Sequence, residues 1–215
     1  SSVYGVSEKK NVTEEHPLVP LTLYNKFKGL CEPILLKHTD QNFTGVIFRP
    51  ATVCGYAPRQ RLDLSVNILT NLAVRKDEIT VFGGEQLRPN LHVNDYAELC
   101  SILIDANDDL VANEIFNCGY ENRSIMNIAK DVKKVIEERS DFKKSISLKV
   151  SSSDDKRSYH INSDKIAAKL GFAPRRNIKN AVEGLLSAFE QNLLPDSLEN
   201  DKYFNIRTMK KINAQ

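Results

Sequence analysis

Tyr24-Asn25-Lys26-Phe27-Lys28 carries a tyrosine and a lysine four residues apart, and Ser1-Ser2-Val3-Tyr4-Gly5 precedes it, with Tyr4 twenty residues before Tyr24. On a helix, positions four apart stack one turn above each other on the same face. A cation beside a phenol favours loss of the phenolic proton, which suits a group that exchanges protons with a hydroxyl or carbonyl. Alone, Tyr-x-x-x-Lys is a common pattern. Its meaning depends on the segments that flank it on either side.

Working outward, residues 22–37 place Phe27, Leu30, Cys31 and Ile34 at helical spacing after Pro17 and Pro20. Pro33 removes a backbone hydrogen bond and should kink this helix after the Lys28 turn. Gly45-Val46-Ile47-Phe48-Arg49 is a short apolar run, as expected of a buried parallel strand, and leads into Pro50-Ala51-Thr52-Val53-Cys54-Gly55. A helix follows over 64–74 and a strand over 79–84, closed by Gly83-Gly84. His92-Val93-Asn94-Asp95 opens another helix, with Asn94 or Asp95 as its cap and Leu99, Ile102 and Leu103 facing inward. Residues 114–119 read as strand and turn, and 125–137, 163–171 and 177–192 as helices. Residues 151–156 read as a loop and 195–215 as a mobile tail. Alternating strands and helices define an α/β architecture.

The chain has 215 residues, 41% of them apolar and 27% charged, enough for a sizeable core. Its 30 basic and 28 acidic side chains are interspersed and leave a net charge of +2. That balance makes no case for nucleic-acid or membrane binding. No apolar run approaches a membrane span, and no signal peptide is visible, so a cytoplasmic location is expected. Cys31, Cys54, Cys100 and Cys118 are scattered without Cys-x-x-Cys spacing or a partnered histidine. Neither a metal site nor a disulfide framework is expected, only reduced core thiols.

Taken with the upstream Ser-Ser-Val-Tyr-Gly, the Tyr24/Lys28 pattern resembles the extended short-chain dehydrogenase/reductases, in particular the NAD-dependent epimerase/dehydratase family of nucleotide-sugar enzymes. The resemblance implies the C-terminal part of a Rossmann-like doubly wound parallel sheet plus a smaller α/β substrate-binding domain. Family members begin with a glycine-rich cofactor turn that is absent among the nine glycines here. The expectation is therefore a C-terminal fragment, with roughly a hundred residues before it. Residues 1–56 would be the second half of the NAD-binding domain, and 57–194 mainly the substrate domain, with the segment around 91–119 packing back on the first.

The resemblance also implies roles. Tyr24 is the acid/base and Lys28 holds the nicotinamide ribose. The catalytic hydroxyl would fall just before Ser1, leaving Ser1 and Ser2 as the nearest candidates. Arg49, Pro50, Ala51, Thr52 and Val53 form the strand and loop beside the nicotinamide, although the family often has Asn where this chain has Thr52. Asn67 would touch the substrate diphosphate, and Arg88 and Arg157 would grip it from two directions, as bidentate guanidinium groups suit. The cofactor is NAD, with NADP open, and the partner is a nucleotide-diphosphate sugar, in a homodimeric full-length protein. The 4,6-dehydratases carry Asp-Glu where this chain has Ser1 and Ser2, and a serine pair cannot supply an extra acid and base. This favours a UDP-glucose 4-epimerase-like reaction over a dehydratase or keto-sugar reductase. An inactive relative with a binding role is the alternative outside enzymology.

Overall fold

The computed structural model describes residues 1–7, 11–139, 142, 145–153 and 158–213. A 3-10 turn, Ser2–Tyr4, opens the chain, and helix α1 runs Leu23–Lys37 through Pro33. Strands β1 (Ile47–Pro50) and β2 (Thr52–Cys54) follow, separated by Ala51 alone. Next come α2 (Ser65–Lys76), β3 (Glu78–Phe82), β4 (Leu87–His92), α3 (Val93–Asp105) and α4 (Asp108–Val111). The remainder comprises β5 (Ile115–Cys118), β6 (Glu121–Ser124), α5 (Ile125–Glu138), β7 (Ser147–Ser151), α6 (Asp164–Leu170), α7 (Ile178–Glu190) and α8 (Asn205–Lys211).

Three of the four strand pairings are parallel: β1 with β5, β2 with β4 and β3 with β7. Among the described strands, β6 runs antiparallel, against β4. The α/β class with a largely parallel arrangement therefore stands. Because β1 and β2 join different sheets one residue apart, the 47–54 segment bridges them. The Ala51 N–H donates to the Cys118 carbonyl at the crossing point.

Two apolar clusters underlie this arrangement. One gathers α2, β3, α5 and α7, with Val66, Leu69, Ile79, Ile128, Val132, Val182 and Leu185 fully or nearly fully buried. The other joins Val3, Tyr4 and Val12 to Leu91, Leu99, Phe116 and Cys118. It also takes in Tyr159, Ile161, Ile166 and Phe172, so 159–172 sits with the N-terminal part of the chain.

Three local expectations change. The cap of α3 is His92, whose Nδ1 accepts from the Asn94 N–H, in place of Asn94 or Asp95. Ser163, expected with Asp164 to cap the helix over 163–171, stands at the cap position of α6, but its hydroxyl accepts from the Gly119 N–H and pins the turn after β5. The 195–215 segment is no mobile tail over its described length. Tyr203 and Phe204 are buried in the first cluster, Ser197 exchanges hydrogen bonds with Asn71, and the Tyr203 carbonyl accepts from the Leu62 N–H. Polar spacing masked two aromatic anchors there.

Candidate active site

The helix that carries Tyr24 and Lys28 starts where Thr22 caps it, the Thr22 hydroxyl accepting from the Asn25 N–H at 3.2 Å. Asn25 is buried, and its side-chain carbonyl accepts from the Ser2 hydroxyl at 2.9 Å, so Ser2 is tied to the first turn of α1. The Ser1 backbone nitrogen donates to the Pro50 carbonyl at the end of β1. Ser1 Oγ is buried and has no partner among the described residues. Gly5 closes this turn at φ 71°, and a Cβ there would meet the Val19 carbonyl oxygen at 1.8 Å, which only glycine avoids. The structure thus brings Ser1, Ser2, α1 and the end of β1 together.

Tyr24 is 67% exposed, and Lys28 is exposed beside it with its Nζ 5.9 Å from the ring centroid. Leu23, Phe27, Leu30 and Ile34 form a stripe along α1 that also faces outward, and Cys31 is exposed. The periodicity of this helix therefore marks a face that the described chain leaves uncovered, not a core face.

Arg49 has its guanidinium engaged within the chain. The Nε and Nη2 groups donate to the two Glu32 carboxylate oxygens at 2.9 and 2.6 Å, while Nη1 donates to the Tyr4 hydroxyl at 2.7 Å and the Glu14 carbonyl at 3.0 Å. Burial alone would lower the Arg49 pKa, but the hydrogen bonds to Glu32 and Tyr4 reverse this and raise it. Burial pushes the Tyr4 phenol up, and its hydroxyl donates to Asn117 Oδ1 at 2.7 Å. The Asn117 N–H donates in turn to Glu14 Oε1. Glu32, Glu14 and Asn117 were not singled out by sequence reasoning. The available signal was Glu32 falling four residues after Lys28 on the same helix stripe.

Pro50, Ala51, Thr52 and Val53 lie on the bridging segment, with Thr52 and Val53 half-buried in register with Asn90 and Leu91 of β4. Gly55 follows at φ 105°, where an added Cβ would lie 3.2 Å from His92 Nε2. Asn67 is buried against this turn. Its Oδ1 accepts from the Gly55 N–H at 3.0 Å, and its Nδ2 donates to the Arg61 carbonyl at 2.8 Å. Its polar atoms hold the 55–61 loop, so in this conformation it shapes the loop instead of reaching outward. Arg61 pairs with Asp63, and Arg59 donates to Asn205 ahead of α8. Arg88 is buried on β4, opposite Arg123 of β6, and donates to the Leu87 carbonyl. Arg157 lies outside the described residues.

Burial raises Cys54 and Cys118 to about 12, so neither thiol is a nucleophile here. Among the described residues no cluster of three or more His, Cys, Asp or Glu is placed to hold a metal, and no helix is long and apolar enough to cross a membrane.

A largely parallel α/β fold with an exposed Tyr-Lys pair on a helix, beside a 3-10 turn that begins with Ser1 and Ser2, is the arrangement of a Rossmann-like short-chain dehydrogenase/reductase. The profile of the "NAD dependent epimerase/dehydratase family" matches residues 1–119, and the chain belongs to that family. Solved structures agree on the fold. UDP-glucuronic acid 4-epimerase from Bacillus cereus, in complex with UDP-glucuronic acid and NAD, is 24% identical with a TM-score of 0.75; the match covers 89% of this chain and 60% of that one. UDP-glucose 4-epimerase from Thermotoga maritima, with UDP-glucose, is 23% identical with a TM-score of 0.73, over 89% and 61%. dTDP-glucose 4,6-dehydratase from Bacillus anthracis, in complex with NAD, is 19% identical with a TM-score of 0.72, over 89% and 59%. The chain thus spans about 60% of the length of these proteins.

Proposed function

We propose that this chain belongs to an NAD-dependent enzyme that acts on a nucleotide-diphosphate sugar by a 4-epimerase type of reaction. A sugar hydroxyl is oxidised to a 4-keto sugar, the intermediate turns, and reduction occurs on its other face. The observation that carries this reading is the exposed Tyr24–Lys28 pair on α1, tied through Asn25 to Ser2. NAD, present in several of the similar structures, would accept and return the hydride.

The residues present fit such a group. The Lys28 ammonium offers three donors to a ribose diol, and the 50–53 backbone lies on the segment joining the two sheets. Tyr24 takes the proton of the sugar hydroxyl and returns it. Ser1 and Ser2, the latter tied to the first turn of α1 through Asn25, are the nearest hydroxyls for the same sugar oxygen. With serines at positions 1 and 2, no extra acid and base for dehydration stands there, which favours epimerisation. Arg88 and Arg157 bind the diphosphate, each guanidinium offering a bidentate contact. Asn67 contributes by holding the 55–61 loop. A second copy covers the apolar stripe of α1 and makes the full-length protein a homodimer, an assembly that analytical ultracentrifugation detects.

The deciding experiment incubates the full-length enzyme and NAD with UDP-glucose, UDP-glucuronic acid and dTDP-glucose, and identifies products by NMR. A C4 epimer is the expected product. A 4-keto-6-deoxy sugar would establish a dehydratase instead, and NAD binding without turnover would establish an inactive relative.

A further inference from the structure

Helices in globular proteins normally dock through an apolar face. Helix α1 does not. Its single buried residue is Asn25, its apolar stripe of Leu23, Phe27, Leu30 and Ile34 is exposed, and Leu35 and Leu36 are half-buried near its end. What fixes it is polar: Asn25 to Ser2 at one end, and the bidentate Glu32–Arg49 ion pair two turns on.

We propose that Glu32 and Arg49 are positioning residues for Tyr24 and Lys28, clamping the helix that carries the pair to the strand segment that leads into 50–53. The inference rests on the proposed function and adds a role for two side chains that touch neither substrate nor cofactor. Tyr24, Lys28 and Glu32 recur every fourth residue, so they share one stripe, with Glu32 about 6 Å along the axis beyond Lys28. Pro33 follows at once and cannot donate to the Gly29 carbonyl, which leaves the helix weakest beside its anchor.

The anchor is correspondingly deep. Arg49 and Glu32 side chains are 6% and 12% exposed. Through Tyr4, Glu14 and Asn117 the same guanidinium is linked to the 3-10 turn, to the 11–14 segment and to β5. A rotation of α1 about its axis would therefore break a buried ion pair, leaving a charge without its counterpart, which proteins tolerate poorly. The Tyr24 hydroxyl inherits its place from that constraint, and a shift of about 1 Å at a reacting group is enough to cost roughly a hundredfold in rate.

The test uses Glu32→Gln and Arg49→Lys in the full-length enzyme, and Glu32→Gln again in a Tyr24→Phe background. Amide exchange over 23–37 should accelerate at least about tenfold in Glu32→Gln, while β3 and α5 keep their wild-type protection. Turnover per folded molecule should fall about tenfold to a hundredfold with KM nearly unchanged, and the loss should shrink in the Tyr24→Phe background, because Glu32 acts in part through Tyr24. Unaltered exchange over 23–37 overturns the clamp. A Glu32→Gln loss that persists undiminished in the Tyr24→Phe background overturns its action through Tyr24. A wild-type enzyme that turns over no nucleotide sugar, with exchange still accelerated in Glu32→Gln, overturns the proposed function and leaves the clamp standing.

Discussion

Lys28 Nζ stands 5.9 Å from the centroid of the Tyr24 ring, one turn along α1, and both side chains are open to solvent. A cation placed over a phenol face is attracted by the ring quadrupole and holds the two side chains on one flank of the helix. On the proposed function, Tyr24→Phe should lower turnover about a hundredfold to ten-thousandfold while substrate binding persists. Lys28→Met should also weaken NAD binding. Steady-state kinetics and calorimetry separate the two effects, and a Tyr24→Phe enzyme within a few-fold of wild type would place the acid/base elsewhere.

Asn67 secures the turn after β2 by accepting from the Gly55 N–H and donating to the Arg61 carbonyl. Asn67→Ala leaves a buried N–H unsatisfied and should cost about 1–3 kcal/mol, read from urea unfolding. The same variant should raise KM for a nucleotide sugar through a loosened 55–61 loop. An unchanged denaturation midpoint would show that the loop holds without this side chain.

The C-terminal segment contributes to the core through Tyr203 and Phe204. Phe204→Ala should destabilise the fold by about 3 kcal/mol or more, as large-to-small changes at buried aromatics do. The check is chemical denaturation, and a change of only a few tenths would mean that the segment is dispensable.

Burial holds the His92 imidazole below its ordinary pKa of 6.5; Asp95 opposes this shift and Arg176 reinforces it. The unfolded chain therefore binds the proton more readily, and stability rises with pH across this range. The His92 contribution is complete above about 6.5 and is lost as pH falls from there toward the folded-state value. His92→Asn keeps a capping acceptor for the Asn94 N–H and should flatten the dependence below about pH 6.5. Thermal melts across that window provide the measurement, and an unchanged slope would assign it to other groups.

Cys31 is exposed on α1, whereas Cys54 and Cys118 are buried with thiols raised to about 12. Alkylation of the native protein near pH 8 should therefore modify Cys31 well ahead of the other two. Mass spectrometry of peptides resolves the order, and early labelling of Cys54 would mean that the β2 region opens.

The chain by itself determined its class and the pairing of Tyr24 with Lys28 on one helix face. A tyrosine and lysine four apart lie on one helical face wherever that helix packs, and a continuous apolar run such as 45–49 becomes a buried parallel strand in most contexts. Local patterns of this kind depend only on backbone geometry. They also located α2, α5 and α7, whose apolar faces do meet a core. Strands β2, β4, β6 and β7 were not legible; Leu87-Arg88-Pro89-Asn90 and Glu121-Asn122-Arg123-Ser124 carry no alternation and become strands through pairing with each other and, for β4, with β2. Periodicity likewise groups Leu23, Phe27, Leu30 and Ile34 without saying whether anything covers them; the fold leaves them outward. The partners of Arg49 lie 17, 35 and 45 positions away, and Asn67 grips a turn 12 positions back. Such contacts arise from chain reversal and sheet crossing, so only the tertiary structure decided that Arg49 anchors a helix and that Asn67 holds a loop.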